Sequence, residues 1–284
     1  MPARISIITP SFRSSDWLKL CISSVADQGV ELEHIVQDSC SDDGTQDWLP
    51  RDKRIKAFIE KDQGMYDAVN RGFHKASGEI LAYINCDEQY LPGALGRVLD
   101  FFERNPSVDV VFADAVVVDE TGGYVCDRKS LAPHELHTLL SGNLSFLTCS
   151  TFLRRSAWKQ FQLEFDPGLR ILGDLKWAMC LLRSGVKMGV LREFTTAFTE
   201  TGTNLSFHPD AAREREIILR NIPGYIRVLR PLAIVHHRLR KLFAGAYRCP
   251  PHTYSIYTSQ NPDGRRTFQV DRPTFRWVRS RRER

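Results

Sequence analysis

Short apolar runs alternate along the first third of the chain with segments whose apolar residues recur at helical spacing. Four runs rich in Ile, Val and aromatic residues predict buried strands: residues 5–9, 33–37, 54–59 and 79–84. Between them, residues 17–26 and 67–77 carry apolar side chains spaced for one face of a helix. This alternation predicts an α/β fold in which helices flank a mainly parallel sheet.

An acidic turn follows the last of these strands. Asn85, Cys86, Asp87 and Glu88 come directly after the run that ends at Ile84. In an open α/β sheet, ligands bind at the carboxyl ends of the strands. Two adjacent carboxylates repel each other unless they share a cation, and their oxygens suit Mg²⁺ or Mn²⁺ bound to substrate phosphates. The residues alone leave two interpretations open, a metal site and a solvated acidic turn.

A polar loop follows the second predicted strand. Residues 38–45 read DSCSDDGT and are dense in turn formers and hydrogen-bonding side chains. Their carboxylates either cap the helix that begins near Gln46 or accept hydrogen bonds from a nucleobase or ribose. On the loop alone, capping is the favoured interpretation.

Two histidines in the middle of the chain are a further candidate for metal binding. His134 and His137 lie three residues apart on a short predicted helix, residues 133–142. Such a pair can bind a metal ion, but it needs further ligands. Because no third ligand is near in sequence, a surface helix is the favoured interpretation.

Composition predicts an ordinary globular protein. Of 284 residues, 42% are hydrophobic and 26% are charged, and no apolar run reaches the length of a transmembrane span or reads as a signal peptide. Seven cysteines are scattered without a CxxC pair. They predict reduced thiols and a cytoplasmic protein, and they argue against a zinc site.

Charge is distributed unevenly between the two ends of the chain. Residues 221–284 hold 14 Lys and Arg against 3 Asp and Glu, whereas residues 1–220 carry a net negative charge. We therefore expect a core of residues 1–220 and a basic, partly helical extension of residues 221–284. Within it, residues 226–243 mix apolar residues with arginines. This segment predicts an amphipathic helix that either lies on an anionic lipid surface or packs on the core.

Four sequence blocks together resemble the signature of a known family. They are SIITPSFR (6–13), DSCSDDGT (38–45), KDQGMYDAVNRGFHKASGEI (61–80) and NCDE (85–88). Their order and spacing are similar to those of family-two glycosyltransferases with the Rossmann-like GT-A fold, and the resemblance spans residues 4–207. The third block looks like that of bacterial members that build cell-surface polysaccharides and glycolipids.

The resemblance implies a reaction and its partners. Such enzymes are inverting hexosyltransferases that use a nucleotide-diphosphate sugar donor, a divalent metal, and a polysaccharide, lipid-linked or glycolipid acceptor. A lipid-linked acceptor would place the protein at the inner face of the plasma membrane, where its basic extension could associate peripherally with anionic lipid. No nucleic-acid partner is expected.

The resemblance also implies roles for residues on the nucleotide side of the site. Thr9 and Pro10, with the adjoining Ser11, would line the nucleotide pocket, and Asp38 would face the base. Asp67 would lie near the donor phosphates and sugar.

The metal-binding residues follow from the same resemblance. Asp87 would be the metal-binding acid of the DxD motif, next to Asn85 and Cys86 in the donor site. Asn85 stands where the family has its first acid and Glu88 follows Asp87, so metal binding would rest mainly on Asp87. His208, in a polar segment that resembles a loop closing over the donor, would contact the metal or diphosphate.

Asp174 is the candidate catalytic base. Gly173 and Asp174 open a well-patterned helix of residues 175–184, where an aspartate is explained structurally as an N-terminal cap. The family carries a similar pair at this point, and its Asp resembles the base that takes the proton of the acceptor hydroxyl. Both roles are compatible. Asp114, which interrupts an apolar strand, is expected near the donor site.

Other classes of function remain open at this point. Asn85 makes a nucleotide-sugar-binding protein without catalysis conceivable. A protein that binds anionic lipid or nucleic acid through the basic extension is a further alternative, but its arginines form no recognisable reading motif. A nucleotidyltransferase is disfavoured because no glycine-rich phosphate loop follows the first strand.

Overall fold

The computed structural model describes residues 3–141, 144–201, 210–220 and 228–277. Within these ranges the strands are β1 (Ile5–Ser11), β2 (Leu32–Asp38), β3 (Lys56–Ile59), β4 (Ile80–Tyr83), β5 (Gln89–Tyr90), β6 (Val110–Asp119), β7 (Tyr124–Arg128), β8 (Thr151–Arg154), β9 (Met188–Glu200), β10 (His252–Thr258) and β11 (Asn261–Val270). The helices are α1 (Ser15–Ala26), α2 (Thr45–Trp48), α3 (Met65–Lys75), α4 (Ala94–Arg104), α5 (Glu135–Ser141), α6 (Arg155–Gln160), α7 (Gly173–Ser184), α8 (Asp210–Leu219) and α9 (Arg230–Phe243).

A central sheet organises the described part of the chain. Its strand order is β3-β2-β1-β4-β8-β6-β9-β5, and β7 pairs with β6. The first four strands are mutually parallel. Strand β8 then runs antiparallel to both β4 and β6, and β9 is parallel to β6. The predicted α/β fold is confirmed, with its parallel half built from the four strands that the apolar runs indicated.

Strand β1 lies at the centre of the core because helices cover both faces of the sheet. All seven of its residues are buried. Successive side chains of a strand point to opposite faces. Ile8 packs in a cluster with Phe73 of α3 and Trp177 of α7, whereas Ile7 packs in a second cluster with Val25 of α1 and Leu95 of α4. A strand buried on both faces reads as a continuous apolar run, as ISIIT does.

Two glycines allow the third sequence block to lie tightly against β1. A Cβ on Gly72 of α3 would lie 2.5 Å from Ile8 Cγ2, and a Cβ on Gly78 would lie 2.6 Å from the backbone nitrogen of Ser6. Contacts this short force neighbouring atoms to move. These glycines therefore set how closely α3 packs on the sheet, and so where the first turn of α3 lies.

The carboxyl-terminal part contains a helix and a hairpin. The pattern predicted α9 but missed β10 and β11, which pair antiparallel. Tyr254 and Ile256 of the hairpin pack on Val116 and Ala197 of the sheet. The side-chain amide of Gln89 exchanges two 2.8 Å hydrogen bonds with the Tyr257 backbone. The hairpin thus packs directly on the sheet, while the division of the chain at residue 220 stays a prediction.

Candidate active site

The four parallel strands end at one edge of the sheet. Ser11 at the end of β1 is in register with Asp38 at the end of β2, and Asp38 with Ile59 of β3. The N–H of Ile84, just after β4, donates to the carbonyl of Ile8 at 2.9 Å. Register therefore brings the loops that begin after Ser11, Asp38 and Ile84 to the same edge, where ligands bind in open α/β sheets.

The end of β1 contributes buried groups to this edge. Thr9 is fully buried, and its hydroxyl lies 2.9 Å from His34 Nε2 in the core. The Pro10 carbonyl accepts a hydrogen bond from the Cys86 thiol at 3.2 Å. Ser11 Oγ lies beside that thiol, is buried, and has no hydrogen-bond partner of ordinary geometry among the described residues.

Asp38 is buried and anchors its own loop. Its two carboxylate oxygens accept hydrogen bonds from the backbone N–H of Ser41 at 2.8 Å and from the Ser41 hydroxyl at 2.6 Å. The Arg13 N–H donates to Ser41 Oγ, and the Arg13 guanidinium binds Asp42 through contacts of 2.6 and 2.7 Å. The loops after β1 and β2 therefore hold each other. At the start of α2 the Thr45 N–H donates to Asp43 Oδ1 at 3.2 Å, while contact of the loop with a nucleobase stays a prediction.

The acidic turn after β4 contains two carboxylates with different surroundings. Glu88 is 2% exposed, and its Oε2 accepts the N–H of Asn85 at 2.8 Å. Asp87 keeps part of its surface in solvent. Burial raises the pKa of both carboxyl groups above their ordinary range, and the charge of Asp87 raises that of Glu88 further. The positive charge of a bound cation would favour the ionised forms of both carboxyl groups. This pair of side chains therefore suits cation binding.

The described residues do not by themselves complete a metal site. They contain no group of three or more His, Cys, Asp or Glu side chains arranged to hold an ion. Mg²⁺ is commonly held by one or two carboxylates together with substrate phosphates, so Asp87 and Glu88 fit this arrangement as a partial set. His208, the other predicted ligand, lies outside the described residues.

Helix α3 presents the residues of the third sequence block to this edge. Asp67, in its first turn, accepts a hydrogen bond from the Gln63 N–H at 2.9 Å and pairs with Arg71 one turn later at 2.9 Å. Asn70 donates to the Phe165 carbonyl at 2.8 Å and accepts from the Phe165 N–H at 3.0 Å. Asp67 thus orders the turn before α3, and Asn70 joins α3 to the segment that leads to α7.

Tyr66 positions the start of α7, where Asp174 lies. Its hydroxyl donates to the Ile171 carbonyl at 3.1 Å and accepts from the Asp174 N–H at 3.2 Å. The Tyr66 ring stacks on Phe165 with centroids 5.3 Å apart. A Cβ on Gly173 would lie 2.5 Å from Tyr66 Cε2, so only glycine fits there without displacing the ring. The Tyr of the third block and the Gly-Asp pair are therefore one packing unit.

Asp174 is held in a largely desolvated position. Its Oδ1 accepts the Leu175 N–H at 2.7 Å, as expected near a helix N-terminus. Burial raises its pKa from 3.8 to about 6. Burial and then the charges of Asp174 and, more weakly, Glu88 raise the pKa of Tyr83. Tyr83, the last residue of β4, is therefore near both Asp174 and Glu88, which indicates that the candidate base is close to this edge of the sheet.

Glu214 of α8 supports this corner, and nothing in the sequence pattern predicted its role. Its carboxylate accepts three consecutive backbone N–H groups, from Arg170 at 2.8 Å, Ile171 at 3.0 Å and Leu172 at 2.8 Å. Successive N–H groups that point to one spot form an anion-binding nest. An internal carboxylate thus occupies the nest directly before α7 and orders the approach to Asp174.

Asp114 is buried and joins neighbouring segments of the chain, and its place near the donor site stays a prediction. It is 2% exposed and accepts the Ser130 N–H and the Arg192 guanidinium, each at 2.8 Å. Burial raises its pKa to about 6 despite the opposing charge of Arg192. Its carboxylate joins β6, the segment after β7, and β9.

The two candidate histidines on and before α5 pair with histidines of α9. His137 stacks on His237 with ring centroids 3.6 Å apart, and His134 lies against His236 with centroids 4.5 Å apart. We call these four residues the histidine stack. Burial lowers the pKa of His137 to about 4 and of His237 to about 3. The rings pack as neutral aromatic groups, a contact between distant segments that the sequence spacing did not reveal.

The fold and this site define a class of protein. An α/β sheet with four parallel strands carries a polar loop, an acidic turn and a largely desolvated carboxylate at one edge. Residues 6–161 match the sequence model of glycosyl transferase family 2. The chain belongs to this family and is a nucleotide-sugar-dependent glycosyltransferase with the GT-A fold.

Individual relatives agree with this assignment. TuaG of Bacillus subtilis, a glycosyltransferase named for teichuronic acid biosynthesis, is 26% identical over 227 residues, covering 77% of this chain and 88% of that protein. A PGL/p-HBAD biosynthesis glycosyltransferase of Mycobacterium bovis is 32% identical over 119 residues, covering 39% of this chain and 46% of that protein.

Solved structures share the fold at low sequence identity. TarS of S. aureus in complex with UDP-GlcNAc superposes with a TM-score of 0.61 at 17% identity, over 84% of this chain and 73% of that one. The mannosyltransferase PcManGT of Pyrobaculum calidifontis, in complex with GDP-Man and Mn²⁺, gives a TM-score of 0.53 at 16% identity, over 88% and 77%.

Proposed function

We propose that the enzyme transfers a hexose, with inversion, from a nucleotide-diphosphate sugar to a hydroxyl of a carbohydrate or lipid-linked acceptor in cell-surface polysaccharide or glycolipid synthesis. The observation that carries this proposal is the packing unit of Tyr66, Gly173 and Asp174, which holds a carboxylate of raised pKa at the start of α7, against the first turn of α3. TuaG, which is named for the synthesis of such a polysaccharide, supports the acceptor class.

In this proposal Asp174 takes the proton of the acceptor hydroxyl. A pKa of about 6 leaves Asp174 ionised near neutral pH and still basic enough to accept a proton as the glycosidic bond forms. The Tyr66 hydroxyl and the Leu175 N–H hold the residue in place. The acceptor oxygen attacks the anomeric carbon from the face opposite the diphosphate, and the bond to the diphosphate oxygen breaks.

The donor would lie along the loops at the edge of the sheet. Thr9, Pro10, Ser11 and Asp38 would border the nucleoside, and Asp67, Asn85 and Cys86 the diphosphate and sugar. We propose that Asp87, with Glu88, holds a divalent cation, Mg²⁺ or Mn²⁺, as their buried, mutually repelling carboxyl groups suit. When bound, such a cation supplies positive charge where negative charge develops on the leaving diphosphate. His208 is a further proposed ligand.

Calorimetric titration with UDP-, GDP- and dTDP-sugars, with Mn²⁺ and then with chelator, tests the donor site. We expect one nucleotide to bind in a metal-dependent manner and Asp87→Ala to abolish that dependence. Asp174→Asn should bind the same donor with little change but lose at least about a hundredfold in turnover. A protein that binds donor and never turns it over, with any acceptor extract, would instead be a nucleotide-sugar-binding protein.

Tyr66→Phe separates positioning from folding in the same assay. The phenyl ring keeps the stack on Phe165, while the two hydrogen bonds of the hydroxyl are lost. We expect a lower kcat with an unchanged KM for the donor. A loss of donor affinity equal to the loss of kcat would contradict a role in positioning Asp174.

A further inference from the structure

Helix α9 is oriented opposite to an ordinary amphipathic surface helix. Its buried or half-buried side chains, which face the protein, are mostly polar: Ala233, His236, His237, Arg240 and Lys241. Its exposed apolar side chains include Leu232 (64%), Val235 (54%), Leu239 (45%), Leu242 (58%) and Phe243 (85%). A helix of a globular protein normally buries its apolar stripe. An exposed stripe of this kind marks an interaction surface.

Specific contacts determine this orientation. Arg240 donates to the Ala132 carbonyl at 2.8 Å, and Ala233 is 3% exposed against the body. His237 stacks on His137 in nearly parallel planes, 11° apart. Rotation of α9 to bury its leucines would break these contacts and bring Arg240 to the surface. The outward apolar stripe is therefore a property of the folded protein.

The length of the apolar stripe suits a helix that lies on a membrane surface and not a helix that crosses the bilayer. Residues 232, 235, 239 and 242 follow the three- and four-residue steps of one helix face. The helix has 14 residues, and at 1.5 Å per residue it is about 21 Å long. Among the residues that the structure describes, no helix is long and apolar enough to cross a bilayer. A helix of this kind lies in the plane of an interface.

Charge distinguishes between possible occupants of the stripe. Residues 228–249 contain no Asp or Glu, and their cations are Arg230, Arg238, Arg240, Lys241 and Arg248. Arg230 and Arg238 are both exposed, and Arg238 adjoins the apolar stripe on the helix surface. A second copy of the same face would bring the arginines of two α9 helices together, and α9 itself has no acid to balance them. An anionic lipid surface supplies both the apolar layer and the negative headgroups.

We propose that α9 is an interfacial helix that docks the enzyme on an anionic membrane. The outward leucines, Val235 and Phe243 enter the boundary between headgroups and acyl chains, and Arg230 and Arg238 contact the lipid phosphates. This docking rests on the proposed function, because it would bring the enzyme to a lipid-linked acceptor. Vesicle binding needs neither donor nor acceptor, however, so it can fail or succeed independently of the transfer reaction.

Sedimentation of the 284-residue chain with vesicles tests the proposal. Vesicles of equal parts phosphatidylglycerol and phosphatidylcholine should bind at least about tenfold more tightly than phosphatidylcholine alone, and added salt should weaken the binding. Leu242→Ser should weaken it about fivefold because one anchor is lost. Ile217→Ser on α8 is the matched control, since Ile217 is 59% and Leu242 58% exposed. Both variants remove an exposed side chain, so both should fold normally.

The charge contribution has its own matched pair. Arg238→Glu should remove most of the preference for phosphatidylglycerol, whereas Arg215→Glu, which makes the same change in net charge on exposed α8, should retain it. Equal effects of the two charge variants, equal effects of Leu242→Ser and Ile217→Ser, or no vesicle binding would overturn the proposal. A dimer in analytical ultracentrifugation that Leu242→Ser dissociates, without vesicle binding, would identify a second copy as the occupant.

Discussion

Replacement of Asp174 by Asn should make the enzyme inactive and, at neutral pH, more stable. The carboxyl group of Asp174 has a pKa of about 6 because burial disfavours its charged form. Ionisation of this group therefore opposes folding. Asn has nearly the same shape and keeps an oxygen that can accept the Leu175 N–H, but it carries no charge.

The sign and size of the effect follow from the pKa. The folded pKa lies above the ordinary value of 3.8, so the unfolded chain releases this proton more readily than the folded protein does. The wild type thus loses stability as pH rises from about 4 to about 6, and the loss then stays constant. A pKa change from 3.8 to about 6 corresponds to about 3 kcal/mol. Because Asp174 is partly exposed, solvent screening reduces the expected value to about 1–2 kcal/mol.

Thermal unfolding of both proteins between about pH 4 and pH 8 measures this difference. The stability of Asp174→Asn relative to wild type should increase by about 1–2 kcal/mol across this range, which is a few degrees in Tm for a chain of this size. Other titrating groups act on both proteins and cancel to first order. Asp100→Asn, at an exposed position on α4, should show no such trend.

A stability difference that does not change with pH would refute the reasoning, because it would mean that the charge of Asp174 is not opposed by burial. A difference that favours the wild type increasingly as pH rises would refute it more strongly, since an ion pair would then stabilise the carboxylate. In either case burial would not be the cause of a raised pKa at Asp174.

Three further predictions test the supports of the site and the attachment of α9. Gly173→Ala should cost about 1–3 kcal/mol of stability and lower turnover, because the added Cβ overlaps Tyr66. The control Gly96→Ala, whose added Cβ would have no neighbour among the described residues outside its helix closer than 3.8 Å, should be neutral or slightly stabilising in thermal unfolding. Glu214→Gln should cost about 1–3 kcal/mol of stability and reduce kcat, because a neutral amide accepts the three N–H groups less well than a carboxylate does. The control Glu216→Gln, at an exposed position of α8, should change neither stability nor kcat. Burial and nearby Arg240 hold the pKa of His137 in the histidine stack below its ordinary value, so protonation favours separated helices. Hydrogen-exchange protection of α9 should therefore fall as pH drops from about 7 to about 5 while β1 stays protected; equal loss in both elements would contradict this.

The amino-terminal half of the fold could be predicted from the sequence because its signals are local. The continuous run of β1 and the helical spacing of α3 each depend on residues a few positions apart. The acidic turn after β4 could be placed at the sheet edge for the same reason, since parallel strands align their carboxyl ends. The hairpin β10–β11 was missed because its partners, such as Gln89, lie far away in sequence.

The sequence by itself therefore determined which segments form the parallel strands, the chemical character of the edge where they end and, through its four blocks, the family. Only the tertiary structure decided how individual side chains are used. It turned the Thr9 hydroxyl toward His34, joined Tyr66 to Gly173 and Asp174, and bound Glu214 to the backbone before α7. It also turned the apolar face of α9 outward. Such choices depend on contacts between residues distant in sequence, whose packing and hydrogen bonding no local pattern encodes.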